Sequence, residues 1–228
     1  MKKPIWIAID GPAGSGKSTI ANELLKRLNN FIHINTGAMY RATAYFLLSQ
    51  NIDFKCEQKR QDFLQKIRVF FDHDQVLVEY NNETTNVTDF IYNEEVAKVT
   101  SSISVFADVR QKLVHDQQTM LSDQNVIMDG RDIGTVVIPN ATLKIYLDAS
   151  IDERALRRIK QLNENSSNND LQKIKEQIKE RDHIDKNKPI GALKQAEDAI
   201  VLHTDNLNIE QTCDRIVELL NEKLNNLN

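Results

Sequence analysis

Gly11-Pro12-Ala13-Gly14-Ser15-Gly16-Lys17-Ser18 is the stretch of this 228-residue sequence that decides its fold. It fits the phosphate-binding loop pattern of a glycine, four free positions and then Gly-Lys-Ser/Thr. The apolar run Ile5–Asp10 before it has the length of a strand, and Ile20, Leu24 and Leu28 after it recur at helical spacing. A strand, a glycine-rich loop and a helix in this order predict a site for the phosphates of a nucleotide.

The spacing within this loop has a physical reason. Glycines let successive backbone N–H groups point into one concavity, and the helix that begins near Ser18 adds its positive N-terminal end. In such loops the lysine reaches the β- and γ-phosphates and the next hydroxyl ligates Mg²⁺, which assigns these roles to Lys17 and Ser18. Three of the seven glycines of the chain lie between positions 11 and 16, which argues against a chance match.

Composition narrows the class of protein. Apolar residues make up 40% and charged residues 27% of the chain, as in globular proteins, and the net charge of −4 argues against a nucleic-acid binder that relies on positive charge. Two distant cysteines and five histidines match no metal or redox spacing, so we assign the histidines no chemistry. No stretch approaches a signal sequence or the ~20 apolar residues of a membrane span. We therefore expect a cytoplasmic protein without nucleic-acid or membrane partners. We also expect a monomer, because no unassigned apolar helix face stands out.

Strand and helix patterns alternate along the chain. Apolar runs of strand length occur at 5–10, 31–34, 126–129, 143–148 and 199–202, with helical spacing in between. This alternation predicts an α/β fold with a five-stranded, mostly parallel sheet covered by helices on both faces. A small antiparallel insert is predicted within about 68–90, where strand-forming residues flank the turn Asn81-Asn82. Asn208 is placed to cap the last helix.

Two further loops follow predicted strands, at the edge of the sheet where such folds bind ligands. They are Thr36–Arg41 and Asp129–Thr135, and with the phosphate loop they hold six of the seven glycines. Arg131 lies between Asp129 and Asp132, and its position at a strand end favours a functional role over a local salt bridge. For Asp129 two interpretations stay open: local pairing, or holding Mg²⁺ through water.

Four arginines, Arg154, Arg157, Arg158 and Arg181, flank the polar run 163–170, which we expect to be the most flexible piece of the chain. Arginine is a better two-pronged partner for phosphate oxygens than lysine. An arginine-bearing arm beside a phosphate loop is typical of a lid that closes, excludes water and neutralises a transferring phosphoryl group. The lysines of the same arm are interpreted as a solvated helical face.

The chain resembles the bacterial cytidylate kinase family, of the nucleoside-monophosphate kinase group, along essentially its whole length. The resemblance is carried by Ile9–Thr19, Thr36–Arg41, Asp129–Thr135 and Glu180–Asp182 with Asp185. It implies a P-loop kinase three-layer fold and transfer of the γ-phosphoryl group of ATP to CMP and dCMP, with Mg²⁺. It also implies a single domain with a core (about 1–35, 92–157 and 183–228), a monophosphate-binding region (about 36–91) and a lid (about 158–182).

The resemblance also implies roles for individual residues. The ATP phosphates are assigned to Gly11, Pro12, Ala13, Gly14, Ser15, Gly16, Lys17, Ser18 and Thr19, with Arg154 and Arg157 as further ATP contacts. The acceptor is assigned to Thr36, Tyr40, Arg41, Ser101, Arg110, Arg131, Asp132, Arg181, Asp185 and Lys188. The catalytic cations are Lys17, Arg131, Arg158 and Arg181. Asp132 can accept from the cytosine amino group while Arg110 donates to the ring acceptors, and uracil would present a carbonyl to the carboxylate instead.

Three positions depart from the family pattern. Asn35 and His203 stand where aspartate is usual, and Lys188 stands where an arginine usually contacts the acceptor, so the two-pronged contact is lost there.

Three alternatives are weaker. A GTP-binding switch needs an Asn-Lys-x-Asp element, and Asn187-Lys188-Pro189-Ile190 lacks the aspartate. The loop at 129–135 argues against a kinase for UMP, AMP or a small alcohol, and a noncatalytic nucleotide-binding module would not need the arginine-bearing arm.

Overall fold

The computed structural model of the chain describes residues 3–163 and 171–226. They form two units, one of Met1–His33 with Asp123–Asn228 and one of Ile34–Ser122. The second unit contains residues 92–122 together with the predicted insert. Of the expected lid, residues 164–170 lie outside the described part.

Eight strands and eight helices are described. The strands are β1 (Trp6–Asp10), β2 (Phe31–Asn35), β3 (Ile67–Asp72), β4 (Gln75–Tyr80), β5 (Glu83–Asn86), β6 (Asn125–Gly130), β7 (Leu143–Asp148) and β8 (Ile200–His203). The helices are α1 (Lys17–Arg27), α2 (Thr36–Ser49), α3 (Glu57–Leu64), α4 (Glu94–Ile103), α5 (Ala107–Thr119), α6 (Ile151–Asn163), α7 (Leu171–Asn187) and α8 (Ile209–Asn225). A single π-helical turn spans Ile133–Val137. None of the helices in the described ranges is long and apolar enough to cross a membrane.

The first unit is built on a parallel sheet with the strand order β2-β6-β1-β7-β8, which confirms the predicted five-stranded α/β fold. β1 lies at the centre, with Asp10 opposite Gly130 of β6 and Tyr146 of β7. Its apolar run is buried because parallel strands of this kind have both faces covered. The carboxyl ends of β1 and β6 therefore place the phosphate loop and the loop after Gly130 at one edge of the sheet.

Helices α1 and α8 cover this sheet through one continuous apolar core. Ile7 and Ile9 of β1 pack in the same cluster as Leu24 of α1 and Ile216 of α8. The predicted cap of α8 is confirmed: the Asn208 side chain accepts from the Gln211 N–H at 2.8 Å, and the Gln211 side chain accepts from the Asn208 N–H. This reciprocal pair satisfies two N–H groups that a bare helix end would leave without acceptors.

The second unit contains the predicted antiparallel insert, a three-stranded sheet in the order β3-β4-β5. Asn81 and Asn82 form the turn between β4 and β5, with φ of 51° and 65°, a region that asparagine tolerates better than most residues. The helices α2 to α5 complete the unit. Asn35 caps α2, since its side chain accepts from the Ala38 N–H at 2.8 Å. An amide oxygen accepts at an N-cap as a carboxylate does, so asparagine suits this position.

Candidate active site

The phosphate loop of the first unit folds around the Lys17 ammonium group. Lys17 Nζ donates to the Pro12 carbonyl at 2.8 Å and to Ser15 Oγ at 3.4 Å. Two glycines make this curl possible: Gly16 has a φ of 94°, and a Cβ at Gly11 would lie 2.1 Å from the Leu147 carbonyl oxygen. The loop therefore has the conformation that its sequence predicts, with α1 starting at Lys17.

Two arginines share the electrostatic environment of Lys17. Burial lowers the pKa of Lys17 well below its ordinary value, and the positive charges of Arg131 and Arg181 lower it further. Asp129 and Asp10 act in the opposite direction. The structure thus brings three of the predicted catalytic cations together, and a multiply charged phosphate group would stabilise such a cluster.

Arg154 holds the phosphate loop in place through buried hydrogen bonds. Its side chain is buried, and it donates to the carbonyls of Ala13 and Ala149 at 3.0 Å each. It also pairs with Asp182 of α7 at 2.7 Å. These contacts give Arg154 a supporting role for the loop, and its contact with ATP stays a prediction.

Arg157 also forms a hydrogen bond with the phosphate loop. It donates to the Ser15 carbonyl at 3.2 Å, and to the carbonyl of Thr204, which follows β8, at 2.8 Å. Glu153, one turn earlier on α6, accepts from its Nε at 2.9 Å. Arg158, the next residue of α6, is exposed, and its catalytic role stays a prediction.

Ser18 and Asp129 form the predicted magnesium side of the site. Ser18 Oγ donates to Asp129 Oδ2 at 2.8 Å, and the buried carboxylate is ionised, because its pKa lies below the ordinary value. Burial alone would raise this pKa, but the hydrogen bond from His33 and the charges nearby lower it. Hard oxygen donors of this kind fit Mg²⁺. In the described ranges no group of three or more His, Cys, Asp or Glu side chains could hold a metal, so the ATP phosphates would have to supply further ligands.

His33 contacts the candidate site in a way that the sequence analysis missed. Its Nε2 lies 2.7 Å from Asp129 Oδ1, and its Nδ1 lies 2.8 Å from the side-chain oxygen of Asn22. The sequence analysis assigned this histidine no chemistry; the structure places it against the carboxylate beside Ser18. A single histidine on a short strand gives no spacing signal, and the contact exists because β2 and β6 are neighbours in the sheet.

Arg131 and Lys188 meet on one carboxylate. Arg131 Nε donates to Asp185 Oδ2 at 2.8 Å, and Lys188 Nζ donates to Asp185 Oδ1 at 2.7 Å. Although burial acts against ionisation, these two cations hold the pKa of Asp185 well below its ordinary value. Three of the predicted acceptor residues of the first unit, Arg131, Asp185 and Lys188, thus form one charged group.

Asp10 is a second residue that the sequence analysis missed. Its buried carboxylate accepts from the N–H groups of Ile133 and Gly134 at 2.8 and 2.7 Å. Asp132, next to Ile133, is also buried. A carboxylate that ends an apolar strand was the available signal, the same one that pointed to Asp129.

The predicted acceptor residues of the second unit lie on three of its helices. Thr36, Tyr40 and Arg41 are on α2, Ser101 is on α4 and Arg110 is on α5. The Arg41 guanidinium lies 5.5 Å from the centre of the Tyr92 ring and donates to the Ile91 carbonyl at 3.3 Å. Arg110 is buried. The beginning of its helix is fixed by an ion pair between Arg60 and Asp108 at 2.8 Å.

Comparisons with known proteins show the family to which the chain is similar. A family model described as "Cytidylate kinase" matches residues 7–222. The chain is 42% identical over 226 residues to a cytidylate kinase of Listeria welshimeri and to one of Listeria monocytogenes, in each case covering 99% of this chain and 100% of the relative. It is also 43% identical over 228 residues to a bifunctional pantoate ligase/cytidylate kinase of Prochlorococcus marinus, covering 98% of this chain and 44% of that protein.

Proposed function

The chain belongs to the cytidylate kinase family, and on that premise we propose that it transfers the γ-phosphoryl group of ATP to CMP and dCMP, giving CDP and dCDP. One observation carries the proposal: the phosphate loop with Lys17 follows β1, and Arg131, held by Asp185 of α7, follows the neighbouring strand β6, so that the charge of Arg131 acts on Lys17. A donor loop and acceptor-side arginines around one centre are what phosphoryl transfer requires.

The donor half is the phosphate loop. Residues 11–19 bind the ATP phosphates through backbone N–H groups and the Lys17 ammonium group. The carbonyls of Ala13 and Ser15 are held by Arg154 and Arg157, so these N–H groups keep their direction when the ligand arrives. Preorganised donors cost no rearrangement during the reaction, which is where their contribution to the rate comes from.

Mg²⁺ would be held by Ser18 Oγ and, through water, by Asp129, and when bound it neutralises charge on the phosphate oxygens. The Ser18 hydroxyl donates its proton to Asp129. A hydroxyl that donates its hydrogen keeps the lone pairs of its oxygen, and these could ligate a cation.

The acceptor half is assigned to residues that the resemblance implies in each unit. We propose that the acceptor phosphate binds Arg41, Arg131 and Lys188, the ribose binds Arg181 and Asp185, and Tyr40 completes the pocket for the monophosphate. Asp185 already accepts from Arg131 and Lys188, yet a carboxylate has about four acceptor positions, so a ribose hydroxyl can still donate to it. The cytosine edge is assigned to Thr36, Ser101, Arg110 and Asp132.

Transfer is direct and in line. With the acceptor phosphate held by the arginines, its oxygen attacks the γ-phosphorus of ATP while the bond to the β-phosphate oxygen breaks. Lys17, Arg131, Arg158 and Arg181 stabilise the charge that spreads over the equatorial oxygens. Exclusion of water by the α6–α7 arm would favour transfer to CMP over hydrolysis.

The cytoplasmic location and the monomeric state stay predictions.

A coupled assay of ADP release tests the proposal. Purified protein with ATP and Mg²⁺ is given CMP, dCMP, UMP or AMP, and release is followed at several acceptor concentrations. We expect kcat/KM for CMP and dCMP to exceed that for UMP and AMP by roughly 100-fold or more, because a site built for an amino group leaves polar groups unpaired with a carbonyl. Equal values for CMP and UMP would refute the assigned base contacts, and release that no acceptor stimulates would refute the kinase activity.

A further inference from the structure

Asp10 carries a contact that the transfer reaction itself does not use. It ends the central strand β1, and its two carboxylate oxygens accept from two successive N–H groups, those of Ile133 and Gly134. These residues open the π-helical turn, whose later N–H groups bond back to the carbonyls of Asp132 and Ile133. Asp10 thus supplies the acceptors that the first N–H groups of the turn would otherwise lack.

The contact joins two loops of the same unit. Gly11, directly after Asp10, begins the phosphate loop, and Arg131 and Asp132, directly before Ile133, belong to the proposed acceptor side. β1 is held on both edges by β6 and β7, so Asp10 has little freedom to move. A side chain fixed in this way determines where the turn starts, and hence where the two preceding residues lie.

The Asp10 carboxylate is closely surrounded, and burying its charge is unfavourable. A Cβ added to Gly134 would lie 3.1 Å from Lys144 Cδ and 3.4 Å from Asp10 Oδ2, so a larger residue there would press on the carboxylate and on Lys144. Burial raises the pKa of Asp10 to about 6, while the two N–H groups lower it and the charge of Asp132 raises it again. An apolar residue would avoid burying a charge but would leave two N–H groups without acceptors.

We propose that Asp10 is a positioning residue for the acceptor: by holding the N–H groups of Ile133 and Gly134 it fixes the loop that carries Arg131 and Asp132. It acts through this loop and does not touch CMP. The inference rests on the proposed function, since it deepens the account of acceptor binding. It differs from a general role in stability because it predicts damage on the acceptor side and little on the donor side.

The variant Asp10→Asn tests the inference. Its amide oxygen can accept from one N–H group, but its NH₂ group faces the other, so one of the two contacts is lost. We expect KM for CMP to rise about tenfold or more, the size of a lost hydrogen bond to a charged group, and the preference for CMP over UMP to fall. The Kd for ATP, measured by calorimetry without acceptor, should change by less than about twofold, within the usual variation of uninvolved sites. Amide hydrogen exchange at Ile133 and Gly134, followed by NMR, should become faster.

Two further variants complete the experiment. Asp148→Asn is the matched control, an aspartate at the end of the neighbouring strand β7 whose Oδ1 accepts from the local Ala149 N–H, and it should leave KM for CMP unchanged. Gly134→Ala disturbs the same contact from the other side and should reproduce the pattern if Asp10→Asn does not fold. An unchanged KM for CMP, or equal losses in ATP and CMP binding, would overturn the inference. If the unaltered protein does not phosphorylate CMP, the proposed function fails by itself, and unchanged amide exchange at Ile133 and Gly134 would still refute the Asp10 contact.

Discussion

At the scale of single residues, buried aspartates of the first unit hold its arginine and lysine side chains in fixed positions. Asp185 binds Arg131 and Lys188, and Asp182 binds Arg154. Side chains locked in this way lose little conformational entropy when phosphate groups bind, which favours affinity as well as rate.

Lys17→Ala should slow transfer strongly without unfolding the protein. The ammonium group is buried beside Arg131 and Arg181, and burial and repulsion lower its pKa, so removing the charge relieves an unfavourable interaction in the folded state. Loss of a preorganised donor to the phosphates should lower kcat by roughly 10²–10³-fold. Circular dichroism should be unchanged.

The matched control for this variant is Lys26→Ala, on the exposed face of the same helix, where the lysine pairs with Glu23. It should retain full activity. A Lys17→Ala protein with more than about a tenth of the normal kcat, well above the loss expected for a phosphate donor, would contradict the assigned role.

His33→Leu should weaken the magnesium side of the site. It removes the ring nitrogen that lies 2.7 Å from Asp129 Oδ1, so the carboxylate is less well oriented toward Ser18. The Mg²⁺ concentration that half-saturates ATP binding, measured by calorimetry, should rise roughly tenfold, as for other residues that orient metal ligands. The exposed His115 of α5 offers a control in His115→Leu. An unchanged requirement for Mg²⁺ would refute the role of His33.

The free energy of unfolding should depend on pH because the Asp10 carboxylate is buried and its pKa is raised. Its pKa of about 6 exceeds the ordinary 3.8, so the folded chain holds this proton more tightly than the unfolded chain, and the contribution to stability is lost as pH rises toward 6. The free energy of unfolding, relative to Asp10→Asn, should therefore be larger at about pH 4.5 than at about pH 7.5, by about 3 kcal/mol at most. Urea denaturation of both proteins measures this difference. A difference that does not change with pH would contradict the raised pKa.

The role of a residue could be predicted from the sequence where it belongs to a pattern of a few neighbouring positions. The phosphate loop, the caps Asn35 and Asn208 and the turn Asn81-Asn82 lie in patterns of a few neighbouring positions, although the capping role of Asn35 was not recognised. The contacts of His33 and Asp10 join residues about 100 positions apart through the strand order. No short pattern encodes that order, so these contacts could not be derived from the residues alone.

At the scale of elements, Arg154 connects α6, the phosphate loop and α7. Its guanidinium bonds to Ala13 and Ala149, and it pairs with Asp182 in a buried ion pair. Asp182 directly follows Arg181, so the pair also fixes the turn of α7 that carries a proposed catalytic cation. The sequence predicted a helix on each side of the polar run 163–170. It could not show that one arginine of the arm faces inward.

Arg154→Ala should destabilise the protein more than a surface change does. It leaves the Asp182 carboxylate buried without its cation, which typically costs about 3–5 kcal/mol. Asp182 Oδ1 already has no hydrogen-bond partner within the described ranges, so the protein cannot readily compensate. The free energy of unfolding in urea measures this loss.

Arg215→Ala, which removes an exposed ion pair of α8 with Glu218, is the control and should cost less than about 1 kcal/mol. A double replacement of Arg154 and Asp182 by Met and Leu should recover part of the loss, because no buried charge then remains. Equal small effects of Arg154→Ala and Arg215→Ala would show that the buried pair contributes no more than a surface pair.

At the scale of the whole molecule, the two units supply different parts of the proposed reaction. The first unit carries the phosphate loop, the magnesium side and the charged group around Asp185. The second carries Arg41, Ser101 and Arg110 on helices around the insert. The fold class and the donor loop follow from the sequence through hydrophobic periodicity and one motif. The identity of the acceptor follows from the family resemblance and the family match, since local chemistry alone distinguishes phosphate from base but not one nucleotide from another.

Transfer of a labelled phosphoryl group tests the central claim most directly. Protein is incubated with Mg²⁺, CMP and ATP labelled at the γ-phosphate, and the products are separated by chromatography. Direct transfer predicts that the label appears in the β-phosphate of CDP at the rate of ADP release, with little free phosphate. Lys17→Ala should slow this transfer by roughly 10²–10³-fold. Label that accumulates as inorganic phosphate while CMP remains unchanged would contradict the claim.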